Sequence, residues 1–150
     1  MWSNTLLQNL DGYRISTNPD EMDLAVIHGF LSNSYWAKGM PLAVLKKAME
    51  HSLCFGIFSA DNQQLGFARV ITDKATFAYL SDVFIVESER GKGLSKWLMS
   101  TIVAHPDLQG LRRFVLVTVD AHGLYEQFGF TPIAHGERFM EVWNPEVYSN

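Results

Sequence analysis

Between Leu53 and Val86 three strand-length segments follow one another with almost nothing between them: Leu53 to Ser59, Gln64 to Thr72 and Thr76 to Val86. Turn signals at Asp61-Asn62 and around Asp73-Lys74 separate them, and connections that short join neighbouring strands only in an antiparallel sense. An antiparallel meander is predicted. A sheet of this kind has two faces to cover, and the flanking sequence supplies amphipathic helices. "NPDEMDLAVIHGFLSNSYW" carries a start signal at Asn18-Pro19 and places Leu24, Ile27 and Leu31 at helical spacing, while a second helix from Pro41 puts Leu42, Leu45 and Met49 on one face. A third helix presents Leu94, Trp97, Leu98 and Ile102 and stops near His105-Pro106. Tyr13 to Ser16 reads as a short first strand, "RRFVLVTV" as a fully buried strand, "AHGLYEQFG" as a short helix closed by Gly129, and "FTPIA" and "RFMEVW" as final strands. The expected architecture is a mixed α/β sheet with helices on its faces and the most buried strands near its middle.

Size and charge narrow the classes. At 150 residues and 47% hydrophobic content the chain is expected to form a single domain over residues 1–150. A net charge of −4 offers no extended basic face, so nucleic acid is not an expected partner. Cys54 is the only cysteine, which excludes a disulfide framework within one chain and suits a reducing, cytoplasmic setting. The start "MWSNTLLQNLDGYRI" lacks a basic segment followed by an apolar one, and no later run has the length of a membrane span, so no membrane association is expected. His28, His51, His105 and His135 are scattered without ligand spacing, and no metal site is predicted.

The stretch "VESERGKGLSKWLM", residues 86–99, is the strongest chemical signal. It joins the end of a long strand to a helix N-terminus, where backbone N–H groups without an intrahelical partner and the macrodipole favour an anion. Gly91 and Gly93 permit close approach, and Arg90, Lys92 and Lys96 add positive charge. The spacing excludes both a Walker A loop and a Rossmann fingerprint. On these residues alone, a phosphate cradle and a plain glycine turn with solvated cations both stay open.

Taken with the second half of the chain, the pattern resembles the GNAT superfamily of acyl-CoA-dependent N-acetyltransferases. The family signature of Arg or Gln, two residues, Gly, one residue, then Gly or Ala appears as Arg90-Gly91-Lys92-Gly93-Leu94-Ser95, with Ser95 in the last place. Downstream, "DAHGLYEQFGF" matches the family segment through Ala121, Leu124, Tyr125, Gly129 and Phe130. The resemblance implies a mainly antiparallel mixed sheet, splayed between its fourth and fifth strands and flanked by helices. It implies acetyl-CoA as cosubstrate, its pyrophosphate on the backbone of Gly91 to Lys96 and its pantetheine arm along the strand edge near Ile85. It further implies acetyl transfer to a primary amine of a small molecule or peptide by direct attack. Tyr125 would protonate the departing thiolate, and Tyr35 and Trp36 in "SNSYWAKGMP" would lie over the acceptor site, where ordinary helix packing is the alternative reading.

Departures from the pattern matter for the chemistry. Where some members carry a catalytic Glu on the fourth strand, this chain has Tyr79, and Asp82 is the nearest carboxylate. Strand alternation sends the two to opposite faces unless a bulge intervenes. Asp82 serves either the reaction or an ion pair with Arg69. Thr118 stands where many members have Asn, and His122 is a proton relay, a cap or a CoA contact. An amine of pKa near 10 costs about 4 kcal/mol to deprotonate at pH 7, so a base or water relay is required. A non-catalytic acyl-CoA sensor is the alternative function, and self-association as a homodimer stays open.

Overall fold

The computed structural model describes residues 6–8 and 12–149. The leader-free reading of the N-terminal stretch rests largely on residues outside that range. Strands β1 (Leu6–Gln8), β2 (Arg14–Ser16), β3 (Leu53–Phe58), β4 (Gln64–Thr72), β5 (Phe77–Ile85) and β6 (Arg113–Leu116) form one sheet in sequence order. Neighbours are antiparallel except β5 and β6, which run parallel because helix α3 (Leu94–Ala104) crosses over between them. The fourth and fifth strands expected from the sequence are therefore β5 and β6, and β1 is an added edge strand.

The meander forms because its turns are chemically specified. Asn62 at φ 67° and Lys74 at φ 63° take left-handed backbone at the two reversals. Beside Lys74, the Asp73 carboxylate accepts from the N–H groups of Ala75 and Thr76 at 2.9 and 2.7 Å. Those bonds, led by the Thr76 hydroxyl, hold the Asp73 carboxyl well below the usual range.

Alternation along the strands divides the core into two layers. Leu53, Phe55 and Ile57 of β3 and Ala68 and Val70 of β4 meet Leu94, Leu98, Met99 and Ile102 of α3 on one face. Cys54 and Phe67 turn to the other, where they meet Ile27 and Leu31 of α1 (Leu24–Leu31) and Leu45 of α2 (Leu42–Glu50). The first helix starts later than the Asn18-Pro19 signal suggests. Asn18 caps a single 3-10 turn over Pro19–Glu21, and α1 begins behind a second cap, Asp23, whose carboxylate accepts from Ala25 and Val26 N–H.

The closing elements differ from expectation. Neither "FTPIA" nor "RFMEVW" forms a strand, and β6 covers only the first half of "FVLVTV" and is half-buried rather than fully buried. Strand periodicity identifies segments able to pair, but pairing needs a neighbour, and none of this chain's described strands lies outside β6.

The sheet's decisive irregularity is in β5. Arg69 faces Ser81 and Phe67 faces Phe84, so Ala68 alone spans two residues, Asp82 and Val83. Asp82 takes left-handed backbone at φ 56°, a conformation that Asp tolerates better than most residues. The extra residue resets the strand's parity. Ala78 and Leu80 join the α3-side core before the bulge and Ile85 after it, which leaves Tyr79, Asp82 and Phe84 to the α1/α2 side. The Arg69 guanidinium donates to Asp82 Oδ2 at 2.7 Å, with side-chain exposures of 12% and 3%. A pair this buried stabilises only while both members are present. Asp82→Ala should cost about 3–5 kcal/mol by stranding Arg69, whereas Arg69→Met combined with Asp82→Gly should recover most of that loss. Denaturant unfolding measures both, and equal losses in the single and double variants would put the stabilisation elsewhere.

Candidate active site

The parallel register of β5 and β6 runs from Phe77–Arg113 to Leu80–Leu116 and then stops, while β5 continues to Ile85. Beyond Leu80 the two strands splay. Val86 N–H donates to Leu65 O on β4 at 2.8 Å, so alternation points the Ile85 backbone away from β4 and into the splay. Its carbonyl there accepts from Arg90 Nε at 3.2 Å. Arg90 thus braces the strand end from which the loop departs.

After a 3-10 turn over Glu87–Glu89 the chain passes through Gly91 at φ 81° and Gly93 at φ 79° into α3. Both glycines adopt backbone that side chains disfavour, yet a Cβ built on either meets nothing within 4 Å. Conformation and open space, not packing, account for them. The first bond of α3 runs from Trp97 N–H to Gly93 O at 3.1 Å, which leaves the N–H groups of Leu94, Ser95 and Lys96 without intrahelical acceptors. They face a cavity of about 320 Å³ lined by Ile85, by residues 89–91 and 93–96 and by Leu124 of α4 (His122–Glu126). Positive helix end, left-handed glycines and cationic Arg90 and Lys96 converge there, as an anion site requires.

Lys92 belongs elsewhere. Its ammonium pairs with Glu89 and donates to the Tyr13 hydroxyl at 3.2 Å, and it is absent from the cavity wall. The contact with Glu89 holds the lysine above its ordinary pKa, and the same contact holds the Glu89 carboxyl below its own. The alternation of charges in "ERGK" gave no sign that one cation would be used within the loop.

Tyr125 is half-buried on α4, one residue after Leu124, with its ring 6.1 Å from that of Phe130. Burial raises its pKa, and Tyr35 and Asp120 add to the rise, so the phenol stays protonated through neutral pH. Tyr35, in the loop between α1 and α2, is thus within electrostatic reach of Tyr125. Tyr35 and Trp36 meet edge to face at 5.1 Å and are 72% and 42% exposed, so neither is an ordinary core aromatic. Trp36 Nε1 donates to Asp82 Oδ1 at 3.0 Å, and with Arg69 on Oδ2 both carboxylate oxygens are engaged. Of the two readings of Asp82, the ion pair is what forms. The tryptophan link was not readable in advance, because Trp36 and Asp82 are 46 residues apart. Tyr79 shares the Asp82 face by strand parity. Thr118 Oγ1 accepts the Ala121 N–H at 3.0 Å, a bond within the turn that leads from the strand end into α4, whose N-cap Ala121 makes no side-chain capping bond.

A second cavity of about 370 Å³ lies between α1, α2 and β3, lined among others by Met22, Met49 and Cys54, and shares no residue with the first. Among the described residues no His, Cys, Asp and Glu cluster could hold a metal ion, and no helix is long and apolar enough to cross a membrane.

Comparison with known proteins agrees with the fold. Residues 51–132 match the acetyltransferase (GNAT) domain family. A Gibberella zeae protein classed with the acetyltransferases is 31% identical over 135 residues, covering 75% of each chain. A crystal structure from Xanthomonas campestris pv. campestris, described as belonging to the GNAT family, superposes with a TM-score of 0.89 at 52% identity, over 92% of this chain and 97% of that one. A Clostridium acetobutylicum chain classed as a predicted acetyltransferase and solved with acetyl-CoA shares the fold, with a TM-score of 0.62 at 13% identity over 87% and 94% of the two chains. The mixed sheet splayed between β5 and β6 under flanking helices is the GNAT fold, and it defines an acyl-transfer scaffold. The chain belongs to the GNAT acetyltransferase family.

If the helix end is the anion site, Gly93→Val should weaken CoA binding by about tenfold or more in a protein that still folds, since a β-branched residue resists this φ and projects towards the N–H groups. Lys92→Met should change affinity by less than about threefold, because its charge is spent on Glu89 and exposed cations contribute modestly. Calorimetric titration with CoA checks both, and unchanged affinity in a folded Gly93→Val protein would move the site elsewhere.

Proposed function

We propose that this protein is an N-acetyltransferase that moves the acetyl group of acetyl-CoA to a primary amine of a small molecule or peptide by direct attack in a ternary complex. The observation that carries the reading is the convergence of the α3 N-terminus and the β5 strand end at Ile85 on one cavity, walled from α4 by Leu124, the residue next to a neutral Tyr125. The N–H groups of Leu94, Ser95 and Lys96 receive the pyrophosphate, with Arg90 and Lys96 neutralising charge and the backbone of Gly91 and Gly93 leaving room. The edge of β5 at Ile85 then takes the pantetheine amides as a further strand would, because its backbone faces the splay. An N–H of the same unpaired stretch lies where an oxyanion develops.

Tyr125 protonates the thiolate. Its burial keeps the phenol neutral, and the same dry surroundings raise the basicity of a departing thiolate, so the donation is not made harder by the shift. Asp82 acts as a positioning residue, holding Trp36 over the acceptor site through Nε1. Tyr79 stands on that face with a hydroxyl able to pass the ammonium proton to water. Tyr35 and Trp36 supply aromatic faces for a cationic amine. The chain's surroundings in the cell are proposed to be cytoplasmic, on its single buried thiol.

A second reading, acyl-CoA sensing without transfer, is favoured by one fact: the carboxylate on β5 is already engaged at both oxygens. Thiol release from acetyl-CoA across a panel of primary amines separates the two, and binding without release on any amine would select the sensor. In an active pair Tyr125→Phe should lower kcat by roughly 10²- to 10⁴-fold with acetyl-CoA affinity within a few-fold. A fall in melting temperature with unchanged turnover would make Tyr125 a packing residue.

A further inference from the structure

The cavity of about 370 Å³ between α1, α2 and β3 takes no part in the site described above, and its lining changes in character from floor to rim. The floor is polar but already satisfied. Ser52, 5% exposed, donates its hydroxyl to Ala48 O at 2.7 Å and accepts from Arg69 Nη1 at 3.2 Å. The Cys54 thiol donates to Met49 O at 3.9 Å, and burial pushes its pKa up to about 12, so it stays neutral. Through Arg69 the floor is fastened to the Asp82 bulge, which keeps it formed without an occupant. Polar groups engaged in this way leave an occupant's inner end to be apolar.

The walls meet that requirement. Met22, Leu24 and Met49 are half-buried against the α1/α2 core and line the cavity, and methionine thioethers adapt to an occupant's shape and favour aromatic rings. The rim is charged instead. Lys46 and Glu50, both exposed, stand one turn apart on the same side of α2 and also line the cavity. Their order, cation ahead of anion, is the less favourable one for pairing along a helix, and among the described residues no ion pair joins them. Glu50 is the last residue of α2, where the macrodipole adds to the attraction for a positive charge.

We infer that this cavity is a second ligand site, which binds a free α-amino acid with an aromatic or other large apolar side chain. The carboxylate meets Lys46, the ammonium meets Glu50, and the side chain lies among Met22, Leu24 and Met49. The volume is at the small end of ligand cavities, enough for one amino acid and too little for a nucleotide cofactor. A fatty acid or an alkylamine would satisfy only one of the two rim charges. The lining shares no residue with the cavity at the α3 N-terminus, so the amino acid binds alongside CoA and not in its place.

Amide chemical shifts followed during titration with L-phenylalanine locate the site. Changes should centre on Met22, Met49, Ser52 and Cys54 and persist in saturating CoA. Two truncated probes, read from the same amides, then test each charge separately. Glu50→Gln should weaken L-phenylalanine and phenethylamine by roughly threefold to fivefold, the scale of a solvent-open ion pair, and leave hydrocinnamate unchanged. Lys46→Gln should weaken L-phenylalanine and hydrocinnamate to the same degree and leave phenethylamine unchanged. Both residues are exposed, so the variants keep the fold. No change at these amides with millimolar L-phenylalanine, changes confined to α4 and the α1–α2 connection, displacement by CoA, or equal losses for all three probes in either variant overturns the inference.

Discussion

The bulge at Asp82 is the constraint on which the site depends. One extra residue in β5 changes which face the following side chains occupy, and the left-handed turn it requires is held by Arg69 on one carboxylate oxygen and Trp36 on the other. The Trp36 bond ties a surface loop to the middle of the sheet. The Arg69 bond fixes the bulge against β4, so that Phe84 meets Phe30 in a stacked contact at 4.0 Å while Ile85 returns to the α3 side. A regular β5 would leave this loop without its anchor. The local strain of such a turn, of order 1–3 kcal/mol for a residue other than glycine, is sustained because the surrounding contacts over-determine it.

From that strand end the rest of the site follows by connection. Arg90 closes back on the Ile85 carbonyl, and two left-handed glycines bring the chain round to α3 with its first N–H groups directed into the cavity. Charge is divided within the same short loop. Arg90 and Lys96 line the cavity, whereas Lys92 neutralises Glu89 and reaches Tyr13 next to β2. The loop is thereby anchored on the α3 face to the residue that leads into β2 without spending its helix-end donors.

The opposite wall is built from parts distant in sequence. Tyr125 approaches on α4, reached through a turn in which Thr118 accepts the Ala121 N–H, and Tyr35 and Trp36 arrive on the α1–α2 connection. Trp36 is held on the Asp82 carboxylate of β5, and Tyr35 lies within electrostatic reach of Tyr125. Among the described residues no strand lies outside β6.

Much of this was legible in the chain itself. The meander, three of the helices, the glycine corner and the Tyr125 segment are encoded by neighbours: Asp73 caps its own turn, Pro41 precedes α2, and Gly91 and Gly93 stand where the backbone needs them. Short-range patterns of this sort are written in sequence because the interactions that produce them span only a few residues. The second cap at Asp23, the extra edge strand β1 and the turning away of Lys92 were not legible, since each depends on what else the chain places nearby. Period-2 alternation carries no mark of a bulge, so nothing in "TFAYLSDVFIV" said that Tyr79 and Asp82 would share a face. Nor did "RFMEVW" say whether it would find a strand to pair with, because a strand's backbone bonds belong to its neighbour. The sequence by itself therefore determined the meander, the helices of its two faces and the glycine corner ahead of α3. Only the tertiary structure decided which face each β5 side chain serves, that Asp82 is held by Arg69 and Trp36, and that no described strand pairs outside β6, because these rest on contacts between residues far apart along the chain.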